Sequence, residues 1–361
     1  MYISELEIYN FRNYALQKVE FIDGLNIVCG KNAQGKTNLV EAIYLLSTGS
    51  SPRAVSDKEM INLNADRARV SAKIVWDTGV RDVEMVLSRR EKKRASVNDL
   101  NIAKIGELLG NINTVYFSPD EMSLIKDSPE YRRRFMDIDL CQLSRAYFYV
   151  LNKYNKILKQ RNALLKSDNK KNVVDSLQIW SEQLSKEGAK IIKQRREFCK
   201  NISNFAREIH GELSGNAEVL EISYQTSATS SIESEIAQEL YDGMMQNLER
   251  DMRLGFTSVG AQRDDIKITL SNADIRAYGS QGQQRTATLA MKLAEIEIFE
   301  KINGEKPILL LDDVLSELDD ERQVKLLKKA NSLQTIITCA NADKFKSQGK
   351  LFTVQNGNVK Y

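Results

Sequence analysis

Histidine is all but missing from this sequence: His210 is the only one among 361 residues. Mechanisms that need a His-rich metal centre or a Ser-His-Asp triad are thereby nearly excluded, which leaves carboxylates, lysine, arginine and backbone amides to carry any chemistry. Cysteine is sparse as well. Cys29, Cys141, Cys199 and Cys339 are scattered without a C-x-x-C pair, which argues against a zinc site or a disulfide framework and for core thiols. With 4 prolines and 18 glycines the chain has few breakers, as expected of a helix-rich globular protein. No apolar run reaches the roughly 18 residues of a bilayer span, and the opening Met1-Tyr2-Ile3-Ser4-Glu5 carries acid where a signal peptide would carry base. A cytosolic protein with no membrane partner is the expectation. A net charge of +3 is too small to announce a nucleic-acid partner, so local clusters must carry that case.

What is present is 42% hydrophobic and 28% charged residues, in a chain longer than the roughly 250 to 300 residues at which single cores stop growing. A main core with an appendage follows. Residues 2–9 and 16–21 alternate as strands do, and 25–29 is a buried run ending at Gly30. Leu39, Val40, Ile43 and Leu46 then share a helical face until Gly49-Ser50-Ser51-Pro52 stops it, and alternation at 68–76 and 80–89 completes a β lobe. From Pro129 the spacing turns helical: Leu151, Tyr154, Leu158, Arg161 and Leu165, then, after the polar stretch 166–172, Leu177, Leu184, Ile191, Phe198 and Phe205 at every seventh residue. This predicts an antiparallel helical hairpin whose longer helix, about 40 residues, would reach roughly 60 Å as a projecting rod. The alternative is a pair of packed core helices. The last hundred residues return to strand 266–270, helix 286–300, strand 307–311, helix 320–332 and strand 335–339, the grammar of βαβ units. Both ends of the chain should therefore share one sheet, with 1–128 and 255–361 forming an α/β head and 129–254 an inserted helical arm.

The chemistry sits in two places. Gly30-Lys31-Asn32-Ala33-Gln34-Gly35-Lys36-Thr37 fits G-x-x-x-x-G-K-[ST] and lies between an apolar strand and an amphipathic helix, where a phosphate loop must be. Its backbone N–H groups would converge on phosphate oxygens, Lys36 would supply a point charge to the β and γ phosphates, and Thr37 its hydroxyl to Mg²⁺. The second place is the run Ile308-Leu309-Leu310-Leu311-Asp312-Asp313, which delivers two carboxylates at the end of a buried strand, the end at which α/β sheets bind ligands. Asp312 suits the Mg²⁺ shell and Asp313 the polarising of an attacking water. The bland reading is that these acids cap the next helix. An ATP-binding protein is the conclusion.

Two more stretches narrow the class. Ser280-Gln281-Gly282-Gln283 opens a helix just before the acid-bearing strand, and Ser316-Glu317-Leu318-Asp319 follows that strand. Here the sequence resembles the ABC-type ATPases, and within them the RecF family of bacterial recombination mediators. The supporting stretches are Asn10-Phe11-Arg12-Asn13-Tyr14, the loop through Asn38, Phe117-Ser118-Pro119-Asp120, 128–137 and Gly260-Ala261-Gln262-Arg263-Asp264-Asp265. The resemblance implies an ABC-type P-loop ATPase head, a mixed β lobe plus a RecA-like parallel sheet, with an inserted α-helical arm. It implies that Arg12, Asn13, Asn38, Gln283 and Asp319 join the nucleotide site, and that Ser280 and Gly282 close over the phosphate loop of a second subunit. An ATP-dependent homodimer with weak, DNA-stimulated hydrolysis follows, working with RecR and RecO to load the RecA recombinase on duplex or gapped DNA. Three positions depart from the family's habit: Pro52 and Gln262 stand where histidine is usual, and Ala261 where proline is. The switch histidine of many ABC ATPases is replaced by Thr338-Cys339-Ala340-Asn341, so Thr338 or Asn341 would have to sense the γ-phosphate.

For DNA the candidates are the turn Arg89-Arg90-Glu91-Lys92-Lys93-Arg94, the run Arg132-Arg133-Arg134, Lys170-Lys171 and Arg195-Arg196, each of which could equally be a solvated face. No base-reading element is visible, so binding should be sequence-independent and directed at the phosphate backbone of duplex or of a single/double-strand junction. An SMC or Rad50-type chromosome protein would need coiled coils of hundreds of residues. A nuclease of the OLD group would need a metal nuclease domain beyond the acid-bearing strand, and a small-molecule kinase would have no use for the Ser280 helix.

Overall fold

The computed structural model describes residues 1–167, 173–341 and 349–361, so Lys170-Lys171 lie outside the described residues. The chain divides into two compact units, Met1–Met122 with Thr288–Tyr361, and Ser123–Ala287. In chain order the first unit begins with β1 (Tyr2–Phe11), β2 (Tyr14–Glu20), β3 (Leu25–Cys29), α1 (Lys36–Thr48), β4 (Arg67–Trp76), β5 (Gly79–Ser88), β6 (Arg94–Val97), β7 (Leu100–Asn101) and β8 (Thr114–Phe117). The second holds α2 (Ser123–Lys126), α3 (Pro129–Leu143), α4 (Arg145–Leu165), α5 (Val174–Ser214), β9 (Leu220–Gln225), α6 (Glu233–Gln246), α7 (Leu248–Leu254), β10 (Asp265–Leu270), β11 (Ala273–Asp274) and α8 (Ile275–Tyr278). The helix α9 (Gln281–Asn303) leads back to the first unit, which ends with β12 (Ile308–Asp312), α10 (Asp320–Ala330), β13 (Thr335–Cys339), β14 (Lys350–Gln355) and β15 (Asn358–Lys360).

The first unit has two sheets. An antiparallel one, ordered β2-β1-β4-β5-β6-β7, alternates buried and exposed residues: Ala68, Val70, Ala72 and Ile74 of β4 face inward with Val83, Met85 and Leu87 of β5. The other is ordered β15-β14-β3-β13-β12-β8, and β14, β3, β13, β12 and β8 run parallel. Its central strands are apolar on both faces, as a covered parallel sheet requires. Between the two sheets lies α1, so Leu39, Val40, Ala42, Ile43, Leu45 and Leu46 are buried and join one core with Ile3, Leu6, Leu310, Ile336 and Phe352. Burying each such Leu or Ile contributes about 1.5–3 kcal/mol.

In the second unit α5, 41 residues or about 60 Å, is the central helix. α4 packs antiparallel to it, with Arg161 opposite Ser181 and Lys153 opposite Glu187, and α6 and β9 also lie along it. Leu177, Leu184, Ile191 and Phe198 are buried as the seven-residue repeat predicts. The arm is thus more than a hairpin. Strand 266–270, expected beside the phosphate loop, instead pairs antiparallel with β9 in a sheet ordered β11-β10-β9, Ile268 opposite Ile222. That pairing draws 255–287 into the insert, whose limits are accordingly 123 and 287 and not 129 and 254.

Candidate nucleotide site

The loop after β3 is bent by left-handed backbone: Ala33 has φ 63° and Gly35 φ 119°. A side chain at Gly35 would meet the Asn13 amide, since a Cβ there would sit 2.7 Å from Nδ2. Gly35 is also the N-cap of α1 and supplies no side chain to its first turn, so those N–H groups remain for an anion. Lys36 arches back over the loop, its Nζ 2.7 Å from Gly30 O and 3.1 Å from Lys31 O. Lys31, Asn32 and Ala33 are exposed at the tip. Asn13 holds the loop by donating from Nδ2 to Gln34 O at 2.9 Å, and Asn38 donates to Asn13 Oδ1 at 2.8 Å. Arg12 is committed elsewhere: it forms a two-pronged pair with Glu41 at 2.9 and 2.7 Å and donates to Glu59 O at 2.8 Å.

Three hydroxyls from three segments converge on one carboxylate. Thr37 Oγ1 donates to Asp312 Oδ1 at 3.0 Å, Thr338 Oγ1 to the same oxygen at 2.7 Å, and the Tyr116 hydroxyl to Oδ2 at 3.3 Å. Burial, then the Asp312 charge, pushes the Tyr116 hydroxyl far above its usual range and keeps it a donor. A hydroxyl beside a carboxylate at a phosphate loop is a donor set that would suit Mg²⁺, an ion commonly held by one or two carboxylates together with substrate phosphates. Among the described residues no group of three or more His, Cys, Asp or Glu could hold a metal unaided, so a cation here would depend on the nucleotide. Thr338 is fully buried and its oxygen also accepts from the Asp313 N–H at 2.9 Å. It therefore ties the two acids together in this structure. Asp313 itself has φ 57°, and burial, opposed by Lys36 and helped by Asp312 and Glu317, raises its carboxyl above the usual aspartate value.

In the second unit, Ser280 and Gln283 cap α9 reciprocally: Ser280 N donates to Gln283 Oε1 at 2.6 Å and Gln283 N to Ser280 Oγ at 3.2 Å. Gly282 beside them is open, with only the Ser280 hydroxyl at 3.9 Å from where a Cβ would be. In the first unit Asp319 caps α10, accepting from Arg322 N at 2.9 Å.

The basic clusters are less free than their sequence suggests. Arg132, 4% exposed, grips Asp265 at 2.6 and 2.9 Å, and Arg133 donates to Asp264 O at 2.7 Å. Arg195, 3% exposed, pairs with Asp137 at 2.9 Å, and Arg196 donates to the carbonyls of Ser230 and Ala228. Arg132 and Arg195 are internal struts and are withdrawn as phosphate contacts, because buried guanidinium groups stay with the carboxylates that neutralise them. Arg89 likewise donates to the carbonyls of Ala65, Ile61 and Asn62, and Lys93 to Gly49 O and Asp57. Arg90, Lys92 and Arg134 are exposed, and Lys92 lines an open groove with Lys93, Arg94 and Asn101. Gln262 accepts from the Tyr154 hydroxyl and donates to Thr257 O and Val259 O, so this departure is a packing residue.

Sequence reasoning missed the scaffold behind the loop. Glu41, whose side chain is 1% exposed, accepts from Arg12, Ser51 and Arg53; burial would raise its carboxyl, but these partners outweigh that and hold it below the usual glutamate value. A lone acid on the apolar face of α1 was the available signal. The Asn356-Gly357 turn, which donates to Gln34, was announced by an Asn-Gly pair between alternating runs.

A phosphate loop and an acid pair on one parallel sheet, flanked by an antiparallel lobe and preceded by a serine-capped helix, define an ABC-type ATPase head. The chain belongs to the RecF family: the model described as RecF/RecN/SMC N terminal domain matches residues 2–360, and curated RecF proteins align along its whole length. The DNA replication and repair protein RecF of Clostridium kluyveri is 41% identical over 99% of both chains, and that of Alkaliphilus oremlandii 42% over 99% of this chain and 100% of its own. A solved structure described as the recombination mediator protein RecF-ATPrS in the RecFOR pathway superposes with a TM-score of 0.94 at 38% identity, covering 99% of this chain and 97% of that one. An Smc head bound to the C-winged helix domain of ScpA, 18% identical with a TM-score of 0.56 over 100% and 96% of the chains, shares the fold.

Proposed function

We propose that this chain is a cytoplasmic, ATP-dependent DNA-binding protein of recombinational repair, a slow ATPase that uses nucleotide as a switch. The observation that carries the reading is the meeting of Thr37 and Asp312 at 3.0 Å beside the phosphate loop. In this reading residues 30–37 cradle ATP, Thr37 and Asp312 hold Mg²⁺, Lys36 neutralises the transferred phosphoryl group, and Asp313 orients the attacking water. Asn13 and Asn38 steady the loop, and Arg12 acts through Glu41. Ser280, Gly282 and Gln283 close over the nucleotide of a second copy, with Asp319 near the shared interface, so ATP joins two chains and hydrolysis releases them. The dimer holds duplex or gapped DNA by its backbone, through exposed cations such as Arg90 and Lys92, and works with RecR and RecO. Support comes from the family membership and from the exposure of Gly282 beside a hydroxyl already fixed at a helix start.

The test uses Asp313→Asn, expected to keep ATP and stall its hydrolysis, with and without Ser280→Arg. Light scattering should show an ATP-dependent dimer of Asp313→Asn that retains duplex DNA. Adding Ser280→Arg should leave ATP binding nearly intact and return the chain to monomer. A dimer surviving that change sinks the shared-nucleotide model.

A further inference from the structure

β14 and β15 form a hairpin whose turn, Asn356-Gly357, has both residues in the left-handed region, φ 48° and 70°. This is the mirror-image turn that Asn-Gly favours. Its two N–H groups point at the phosphate loop: Asn356 N donates to Gln34 Oε1 at 2.7 Å and Gly357 N to Gln34 O at 3.0 Å. Farther along, the hairpin is fastened to β2, where Val359 N donates to Gln17 Oε1 at 2.8 Å and Glu20 N donates to the Tyr361 hydroxyl at 2.9 Å. The turn approaches as closely as a backbone can, since a Cβ on Gly357 would lie 2.3 Å from Asn13 O.

From this geometry we infer that the Asn356-Gly357 turn is a positioning element for nucleotide, acting through Gln34. The oxygen of Gln34 and the N–H of Gly35 belong to one trans peptide and point in opposite directions. Gly357 N and Asn13 Nδ2 both donate to that oxygen, so the peptide plane is pinned and the Gly35 N–H is aimed away from the hairpin, as a phosphate donor at the start of α1. The hairpin's second anchorage on β2 keeps the turn from following the loop if the loop shifts. Nucleotide affinity then depends on residues more than three hundred positions from the motif that carries it.

The inference rests on residues 30–37 being the nucleotide site, and the experiment separates the two. A fluorescent ATP analogue is titrated into the full chain as wild type, Gly357→Ala, Gln34→Met and Lys360→Ala, and each melting midpoint is taken without nucleotide. Wild type that fails to bind condemns the site assignment and with it the inference. Gly357→Ala, strained by its positive φ and its clash with Asn13, should weaken binding about tenfold. Gln34→Met, which keeps the length of the side chain and loses the acceptor for Asn356 N, should weaken it about threefold. Lys360→Ala, on the same hairpin but clear of the loop, should bind as wild type does. Unchanged affinity in Gly357→Ala with only a lower midpoint means the turn is architectural and overturns the proposal; if that variant does not fold, unchanged affinity in Gln34→Met does so.

Discussion

Both units pair charge internally, as Glu41 does with Arg12 and Arg53 in the first, but the first also gathers charge at a site. In the first, Lys36, Asp312 and Asp313 are brought to the end of a parallel sheet and held by hydroxyls and backbone, with Asp313 left partly accessible. In the second, the buried guanidinium groups of Arg132, Arg161 and Arg195 are spent on carboxylates of their own unit, and Arg161 with Asp251 is wholly sealed. A run of arginines on a helix is therefore no guide to a binding face until its partners are known, whereas a lysine after a glycine loop is.

The sharpest way to break that contrast is Arg161→Met. It leaves Asp251 buried without its counter-charge, and unfolding stability should fall by about 3–5 kcal/mol in denaturant titrations. Adding Asp251→Leu should recover most of the loss, and failure to do so would mean that the ion pair shapes the unit beyond its own balance. Next in size, Asp312→Asn, which keeps an acceptor for the surrounding hydroxyls, should cost about 2–3 kcal/mol of Mg²⁺-dependent ATP affinity, read as a fall of about a hundredfold, while the melting midpoint without nucleotide holds. A matching loss of stability would place Asp312 with the struts of the insert. Smallest, Arg90→Glu with Lys92→Glu should lower duplex affinity about tenfold and flatten its salt dependence by about 0.9 log unit for each phosphate no longer neutralised. An unmoved slope removes the turn between β5 and β6 from the DNA face.

Much of the first unit was legible because its signals are local. The phosphate loop, the apolar β12 with its two acids, and the strands 2–9 and 68–76 announce themselves within windows of ten residues. The fate of strand 266–270 was not, because alternation says that a strand exists and nothing of which edge it joins; β9 lies some forty residues upstream and competes with the head sheet for it. Nor could Arg161 be read as an ion-pair residue, although its place in the apolar stripe of α4 was visible, since Asp251, Ser181 and Thr257 come from three other segments. Thr338 shows the same limit within the site: the lack of a switch histidine in Thr338-Cys339-Ala340-Asn341 was evident, the bridging of Asp312 and Asp313 by Thr338 was not.

The place of β3 has a consequence for how the molecule is made. Both of its neighbours in the sheet, β13 and β14, are translated far later than β3 itself, after the entire insert. A nascent chain therefore carries an apolar strand with two bare edges and a loop without its pinning turn, a state open to misassociation. The sheet that backs the phosphate loop is therefore assembled from strands made before and after the insert, and β3 gains both of its partners only when the late ones dock.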